Sequence, residues 1–213
     1  MNKFVVLLIS AGLLVFGTTS ISTQAVNAAS SEVIAKAKIQ SLKINYDAKA
    51  KELNFSGLAT KGEKVLINYN GKKVKTVKVN NGHLTTNVKF VGYKPFTMYA
   101  VNSKGKRVTP ITKVTSNKYA AKTPVAIKSS RTKKGISYTF ATVPNSKLVM
   151  YYQGNKILTK KVNSKTTKVF IPAKELKNKN GHFTVKQLQK EKKASPASKA
   201  EIVKVGVASV LNY

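Results

Sequence analysis

The residues that could carry out acid–base chemistry are few. Seven carboxylates occur in 213 residues, and general acid–base catalysis usually needs a positioned pair of titratable groups. Asp47 and Glu52 flank one predicted turn, where a glycosidase pair could form. That site would also need a sugar cleft with stacking aromatic rings, and the chain has no tryptophan. We expect the carboxylates to be solvated partners of nearby lysines, and we predict a chain that is not an enzyme and holds no cofactor.

Two histidines are the remaining candidates for metal chemistry. His83 and His182 each follow an Asn-Gly pair, but no carboxylate stands at ligand spacing from them. Cysteine is absent from the whole chain, so neither a thiolate site nor a disulfide can form. We therefore predict two histidines at hairpin tips and no metal site, in a protein that its hydrophobic core alone must stabilise.

Positive charge is the dominant feature of the chain. Lysine and arginine total 39 against 7 acidic residues, which gives a formal net charge of +32. Only Arg107 and Arg131 are arginine, although proteins that read bases favour arginine. A biased genome composition would explain lysine in place of arginine, but not the scarcity of acids, because a soluble surface normally mixes both signs. We expect the lysine excess to bind a polyanionic surface.

Individual lysines and one arginine are the candidate contacts with that surface. The polyanion-binding residues that we predict are Lys72, Lys73, Lys75, Lys78, Lys104, Lys106, Arg107, Lys133, Lys134, Lys156, Lys160 and Lys161. Exposed tyrosines among lysines can also stack on sugars or bases. We predict Tyr93, Tyr119 and Tyr152 as such stacking residues and expect most other tyrosines to pack in the core.

Residues 1–28 are typical of a secretory leader. Lys3 supplies a short positive region, an apolar run of about 13 residues follows, and Val26-Asn27-Ala28 forms a small-x-Ala cleavage signal. The run is shorter than the roughly 20 residues that span a membrane, so a retained anchor is the less favoured alternative. Cleavage would leave a net charge of about +31. We predict a secreted extracellular protein that associates with a Gram-positive cell wall.

Beyond the leader, apolar residues alternate with polar ones, as in half-buried β-strands. The first such run extends from Val33 to Ile39, and an amphipathic helix starting at Ser30 or Ser31 is its alternative. Turn signals such as Asn70-Gly71 separate the later runs. Seven short strands of this kind are typical of a β-sandwich. The further strands predicted in the first half are Leu53–Leu58, Lys64–Asn70, Val74–Val79, Leu84–Phe90, Phe96–Asn102 and Arg107–Thr115.

The second half of the chain repeats this pattern. Tyr152-Gln153-Gly154-Asn155 corresponds to Tyr69-Asn70-Gly71-Lys72, an offset of 83 residues between the two glycines. A period this long indicates a duplicated domain rather than a solenoid. We predict an all-β fold with two tandem β-sandwich domains, 29–116 and 124–213, and a linker at 117–123. We also predict one helical turn at 172–176 and a mobile hairpin loop at 190–200, between the last two strands.

Parts of the first half resemble bacterial Ig-like domains. Tyr69-Asn70-Gly71-Lys72-Lys73-Val74 is similar to the family's middle hairpin, and the stretch from Phe96 to Thr109-Pro110 is similar to its penultimate strand, turn and final strand. The resemblance covers about 85 residues well and the second half more loosely, since that half lacks the closing Ser/Thr-Pro turn. It implies two tandem Ig-like β-sandwiches that serve as surface-exposed spacer or adhesive modules without a catalytic site.

Charge and architecture together predict a secreted, non-enzymatic adhesion protein. Its expected partners are anionic cell-wall polymers such as teichoic acid, or host glycans, bound electrostatically. Non-specific binding of extracellular nucleic acid is an alternative, because the same lysines would neutralise its phosphates. A cationic antimicrobial effector is the third hypothesis, which the lack of an evident amphipathic cationic helix disfavours.

Overall fold

The computed structural model describes residues 37–210. The predicted leader, and most of the run for which a strand and a helix were the alternatives, lie outside the described residues. No helix within 37–210 is long and apolar enough to cross a membrane.

The first sandwich consists of two antiparallel sheets that face each other. A three-stranded sheet has the order β1-β2-β5, and a four-stranded sheet has the order β4-β3-β6-β7. Each sheet pairs hairpin neighbours with strands that are distant in sequence, as in an Ig-like fold. The strands are β1 (Ile39–Asp47), β2 (Glu52–Ala59), β3 (Lys64–Tyr69), β4 (Lys72–Lys78), β5 (His83–Lys89), β6 (Phe96–Val101) and β7 (Thr112–Val114).

A short helix, α1 (Ser116–Tyr119), leads from β7 into the second sandwich. That sandwich has two four-stranded sheets, with the orders β12-β9-β8-β15 and β11-β10-β13-β14. A 3₁₀ turn at Ala173–Leu176 confirms the predicted helical turn. The strands are β8 (Val125–Thr132), β9 (Gly135–Ala141), β10 (Ser146–Tyr152), β11 (Asn155–Val162), β12 (Thr166–Pro172), β13 (His182–Gln189), β14 (Ser198–Glu201) and β15 (Ala208–Val210).

Each sandwich has its own hydrophobic core. Phe55, Ile67 and Phe96 lie at the centre of the first, and Tyr138 and Phe183 at the centre of the second. The inward residues of both sheets form the core of each sandwich, which explains why apolar and polar residues alternate along the strands. The predicted all-β fold built from Ig-like β-sandwiches is thus confirmed, while the tandem arrangement and the domain and linker bounds stay predictions.

The two central hairpins confirm the internal repeat. Asn70 and Gly71 connect β3 to β4 with φ values of 50° and 78°, and Gln153 and Gly154 connect β10 to β11 with 48° and 84°. Two successive residues with positive φ define a type I′ turn, whose twist matches that of the flanking strands. Both β4 and β11 then carry a bulge. The offset of 83 residues therefore relates two hairpins of the same geometry.

The first strand of the described residues begins where the predicted alternation ended. That alternation ended at Ile39, and β1 continues from there to Asp47. A bulge between Gln40 and Lys43 interrupts the pairing with β2. One extra residue reverses the inward and outward phase of a strand, so Leu42, Ile44 and Tyr46 pack on the core in place of the odd-numbered positions before the bulge. The predicted strand Arg107–Thr115 is also shortened, to Thr112–Val114.

The burial of Tyr138 in the second core can be tested by comparing the stability of the wild type with that of Tyr138→Phe as the pH rises. The Tyr138 side chain is buried and its hydroxyl donates to the Glu201 carbonyl at 2.7 Å, and burial is the main cause that raises the pKa of its phenol. At neutral pH we expect the wild type to be more stable than Tyr138→Phe by about 1 kcal/mol. Above about pH 10 the phenol ionises in the unfolded chain but not in the fold. The advantage of the wild type should therefore shrink by about 1.4 kcal/mol per pH unit.

Denaturant unfolding of both proteins between about pH 9 and 11.5 measures this difference. Lysine titration affects both proteins alike, so it cancels in the comparison. Parallel stability curves across the whole interval would show that the phenol is not protected by the fold.

Candidate polyanion-binding faces

The outward faces of two four-stranded sheets, β4-β3-β6-β7 and β11-β10-β13-β14, carry lysines in a regular arrangement. In the first sandwich, Val65 and Ile67 of β3 point into the core, so Lys64 points outward by strand alternation. The same reasoning places the other outward residues of both sheets. We define face 1 as Lys64, Lys73, Lys78 and Lys113 around Tyr99, and face 2 as Lys147, Lys156, Lys161, Lys186 and Lys199 around Tyr151.

Four lysines occupy the same register positions on the two faces. Lys64 pairs with Lys78 across β3 and β4, and Lys147 pairs with Lys161 across β10 and β11. Lys73 and Lys156 each follow the hairpin turn and pair with the last outward residue of the preceding strand, Asn68 or Tyr151. Lys113 and Lys199 lie on the last strand of each sheet, opposite an outward threonine. Each of these four lysines of face 1 thus has a counterpart at the equivalent strand position of face 2.

Protection of exposed sheet edges explains part of this arrangement. Lysines on an edge strand discourage pairing with another chain, and β4 and β11 are edge strands. Lys64 and Lys147 lie on strands that are paired on both sides, so they protect no edge. Each also stands directly opposite another lysine, and like charges in that position destabilise a sheet. Both sandwiches have such a lysine pair although the pair destabilises the sheet, which favours a functional reason for the lysines.

The ammonium groups of the two faces are open to a ligand. All of these lysines are exposed except Lys186, which is half-buried. Within residues 37–210, none of their ammonium groups donates a hydrogen bond or forms an ion pair, since the two ion pairs there involve Lys89 and Lys190. Glu201, at the end of β14, is the acidic residue that borders face 2. The faces therefore present positive charge that the described fold does not neutralise.

The structure divides the predicted polyanion-binding residues into three groups. Lys73, Lys78, Lys156 and Lys161 lie on the two faces. Others, all exposed, lie in turns or at strand ends: Lys72, Lys104, Lys106, Arg107, Lys133 and Lys134. Among them, Arg107 stands opposite the outward Val101 and so borders face 1. Sequence reasoning missed Lys64, Lys113, Lys147, Lys186 and Lys199, although strict alternation from the buried residues of each strand would have pointed to them.

Lys75 and Lys160 form the third group, whose ammonium groups have partners within the fold; their predicted contact with a polyanion stays a prediction. The Lys75 ammonium donates to the carbonyl of Asn87 at 2.8 Å and to its side chain at 3.1 Å. Lys160 donates to the carbonyl of Lys168 at 2.6 Å. Each bond joins an edge strand of one sheet to an edge strand of the other. Each ammonium group closes the open side of its sandwich. Lys75 stands opposite Ile67 and Lys160 opposite Leu148, both of which point into a core, so these lysines point away from the outer face.

The three predicted stacking tyrosines are not exposed as expected. Tyr119 is 0% exposed, between the rings of Phe90 and Phe96, because α1 folds back onto the first core. Tyr93 is half-buried and donates to the carbonyls of Ala194 and Ser195. Tyr152 packs against the second core, with Lys179 above its ring. The outward residue of the Tyr151–Tyr152 pair is Tyr151.

The segment at 190–197 is a connection between the two sandwiches and not the mobile loop that we predicted. It joins β13 to β14 and packs on the first sandwich. The Lys193 ammonium donates to the Gly92 carbonyl at 2.9 Å and lies 4.4 Å from the centre of the Phe90 ring. Burial lowers the pKa of this group. The backbone of Lys193 also bonds to Tyr119 and Ala121, so the predicted linker is itself buried and paired at these residues.

Replacement of Tyr93 by phenylalanine should loosen this connection. The change keeps the ring but removes the hydrogen bonds at 3.0 and 3.1 Å to the loop carbonyls. The hydroxyl has one hydrogen to donate, so the two contacts count as one shared bond worth about 1 kcal/mol, and we expect local opening to increase about fivefold. Trypsin cleavage after Lys190 or Lys192, followed by mass spectrometry, measures that opening. Tyr152→Phe is the control, because its hydroxyl lies elsewhere and only accepts a bond from Asn180. Cleavage of the wild type as fast as a free peptide would contradict an anchored loop.

The acidic and histidine candidates serve local structure. Asp47 and Glu52 are direct partners across the first hairpin. The Asp47 carboxylate accepts from the backbone N–H groups of Lys49 and Ala50, whereas Glu52 accepts from the Asn87 side chain. His83 follows a hairpin turn of the first sandwich and His182 begins β13 of the second. No group of three or more potential metal ligands occurs among residues 37–210.

Comparison with known proteins adds little beyond the fold. No protein-family model and no curated protein matches the chain. Solved structures that match include the central fibronectin-III array of RIM-binding protein, at 14% identity and a TM-score of 0.35, with 81% of this chain and 65% of that chain covered. Fibronectin(III)-like modules of Clostridium thermocellum CbhA match at 15% identity and 0.30, covering 76% of this chain and 90% of that one.

A third match is the BSP domain of a biofilm associated protein, at 11% identity and a TM-score of 0.32. This chain is covered to 79% and spans 30% of that chain's length. At such identities and TM-scores, a likeness carries no weight for function.

Proposed function

We propose that this chain is a secreted, non-enzymatic adhesion protein that binds anionic polymers of the cell envelope through the lysine faces of its two sandwiches. The observation that carries the proposal is the recurrence of four exposed lysines at the same register positions of both outer sheets. An Ig-like sheet is stable without them, and their paired arrangement costs stability.

Long-range attraction supplies the binding energy in this proposal. A lysine near an anionic surface contributes about 1 kcal/mol, and the effect decays within a Debye length. Several lysines on one rigid sheet add their contributions without ordering a flexible segment. With a net charge of +32, the whole molecule is also steered toward any polyanion.

The chemistry of the faces matches a polymer of repeated negative charge rather than a small substrate. Lysine is a hydrated point charge that does not impose the bidentate geometry of arginine. The predicted leader would carry the chain out of the cell, where anionic wall polymers are abundant partners.

Binding to immobilised poly(glycerol phosphate), compared with uncharged dextran of the same length, tests the proposal. We expect the full chain to bind the phosphate polymer and to be released by free heparin, because both carry dense negative charge. Dextran should retain none of it. Equal retention on both polymers, or on neither, would refute electrostatic adhesion.

A further inference from the structure

Face 2 carries a cation at a central position where face 1 has an uncharged residue. Tyr99 of face 1 lies opposite Leu66 on β3, and Lys186 of face 2 lies opposite Val149 on β10. Both pairs occupy the same place in their sheets, since the flanking partners Lys64–Val101 and Lys147–Leu188 correspond. Lys186 is thus an additional cation at the middle of the second sheet. Its ammonium lies 5.9 Å from the centre of the Tyr151 ring, within the range of a cation–π contact.

That extra lysine completes a series of charged rows. Outward residues on one strand are about 6.8 Å apart, and each set forms a row with its neighbours on the adjacent strands. The first row of face 2 contains Lys147 and Lys161, the second Lys186, and the third Lys156 and Lys199. The corresponding second row of face 1 contains Leu66, Thr76 and Tyr99 and no charge.

We infer that face 2 is the principal binding site for a polyol phosphate chain of the glycerol phosphate type, lying along the strands with successive phosphates at successive rows. This inference rests on the proposed function and assigns its location and its ligand chemistry. Six covalent bonds separate neighbouring phosphorus atoms in such a chain. Three backbone bonds of an extended peptide span about 3.5 Å, so six span about 7 Å, which matches the row spacing of the sheet.

Single-stranded nucleic acid has the same number of bonds between phosphates, but face 2 suits it less. Proteins that bind single strands supply several aromatic platforms on which successive bases stack. Face 2 has one outward aromatic ring, that of half-buried Tyr151, and Lys186 lies against it. A polyol has no bases to stack and needs only the ammonium groups and the neighbouring threonine hydroxyls.

Removal of two positive charges from face 2, compared with removal of two from face 1, shows whether binding depends on face 2 or only on the total charge of the protein. K147Q with K186Q removes two charges from face 2, both on strands inside the sheet. K64Q with K113Q removes two charges from face 1. Titration of poly(glycerol phosphate) into the full chain, at one moderate salt concentration, should show an affinity loss of about tenfold or more for the face 2 pair and less than about threefold for the face 1 pair. Thermal unfolding verifies that both variants are folded.

The second part of the experiment exchanges the central residues of the two faces. Lys186→Tyr gives face 2 the central residue of face 1 and should weaken binding, whereas Tyr99→Lys fills the uncharged row of face 1 and should strengthen it. Equal losses in both charge-removed pairs would overturn the assignment to face 2 and leave electrostatic adhesion standing. Failure of the wild type to bind any polyanion would overturn adhesion itself. Tighter binding of oligo-dT than of poly(glycerol phosphate), at equal phosphate concentration, would overturn the ligand chemistry.

Discussion

Tyr119→Ala is expected to reduce the free energy of unfolding of the first sandwich by about 3–5 kcal/mol. The side chain is fully buried, and its ring centre lies 5.2 Å from that of Phe90 and 5.6 Å from that of Phe96. Its hydroxyl donates to the Lys94 carbonyl at 2.7 Å. Truncation removes the ring contacts, leaves a cavity and loses the bond. Since domains of this kind are stable by about 5–15 kcal/mol, the variant would be largely unfolded on mild heating.

Denaturant unfolding followed by circular dichroism measures the loss, and two control variants define its origin. Tyr119→Phe keeps the ring and should cost about 1 kcal/mol, the value of the hydrogen bond. Tyr99→Ala truncates a half-buried tyrosine on the outward face of the same sandwich and should cost less than half as much as Tyr119→Ala. A loss below about 1 kcal/mol for Tyr119→Ala would mean that the residue is not part of the core.

Features encoded in short segments could be predicted from the sequence. Asn70-Gly71 and Gln153-Gly154 specify tight hairpins because few residue pairs accept two successive positive φ angles. Strand alternation then gave most strands of the first sandwich. The same alternation could not be extended through β1, because a bulge reverses the inward and outward phase between Ile39 and Leu42. A bulge depends on pairing with β2, which a local pattern does not contain.

The candidate site depends on contacts between distant segments. Lys64 and Lys78 are neighbours through one hairpin, but Lys113 joins them only through the order β4-β3-β6-β7. Solvent exposure was equally hard to predict. Tyr93 and Tyr119 have polar surroundings in sequence, yet the loop at 190–197 and helix α1 cover them. Contacts with segments that are distant in sequence therefore determine whether an aromatic side chain with polar neighbours in sequence is exposed.

Salt should weaken polymer binding steeply. Neutralisation of phosphates by lysine releases counterions, and for single-stranded chains the logarithm of the affinity falls with the logarithm of the salt concentration by about 0.7 for each phosphate neutralised. The five lysines of face 2 would give a slope of about −3 to −4. An increase from about 50 to 200 mM NaCl would then reduce affinity roughly a hundredfold. A small pocket that recognises its ligand by shape and hydrogen bonds would change little over this range.

The most direct test of electrostatic adhesion is the dissociation constant of the full chain for fluorescently labelled poly(glycerol phosphate), measured by anisotropy across that salt range. The account predicts a straight line of slope about −3 to −4 on logarithmic axes, and a shallower line when the face 2 lysines are neutralised. An affinity that stays constant as salt rises would contradict it.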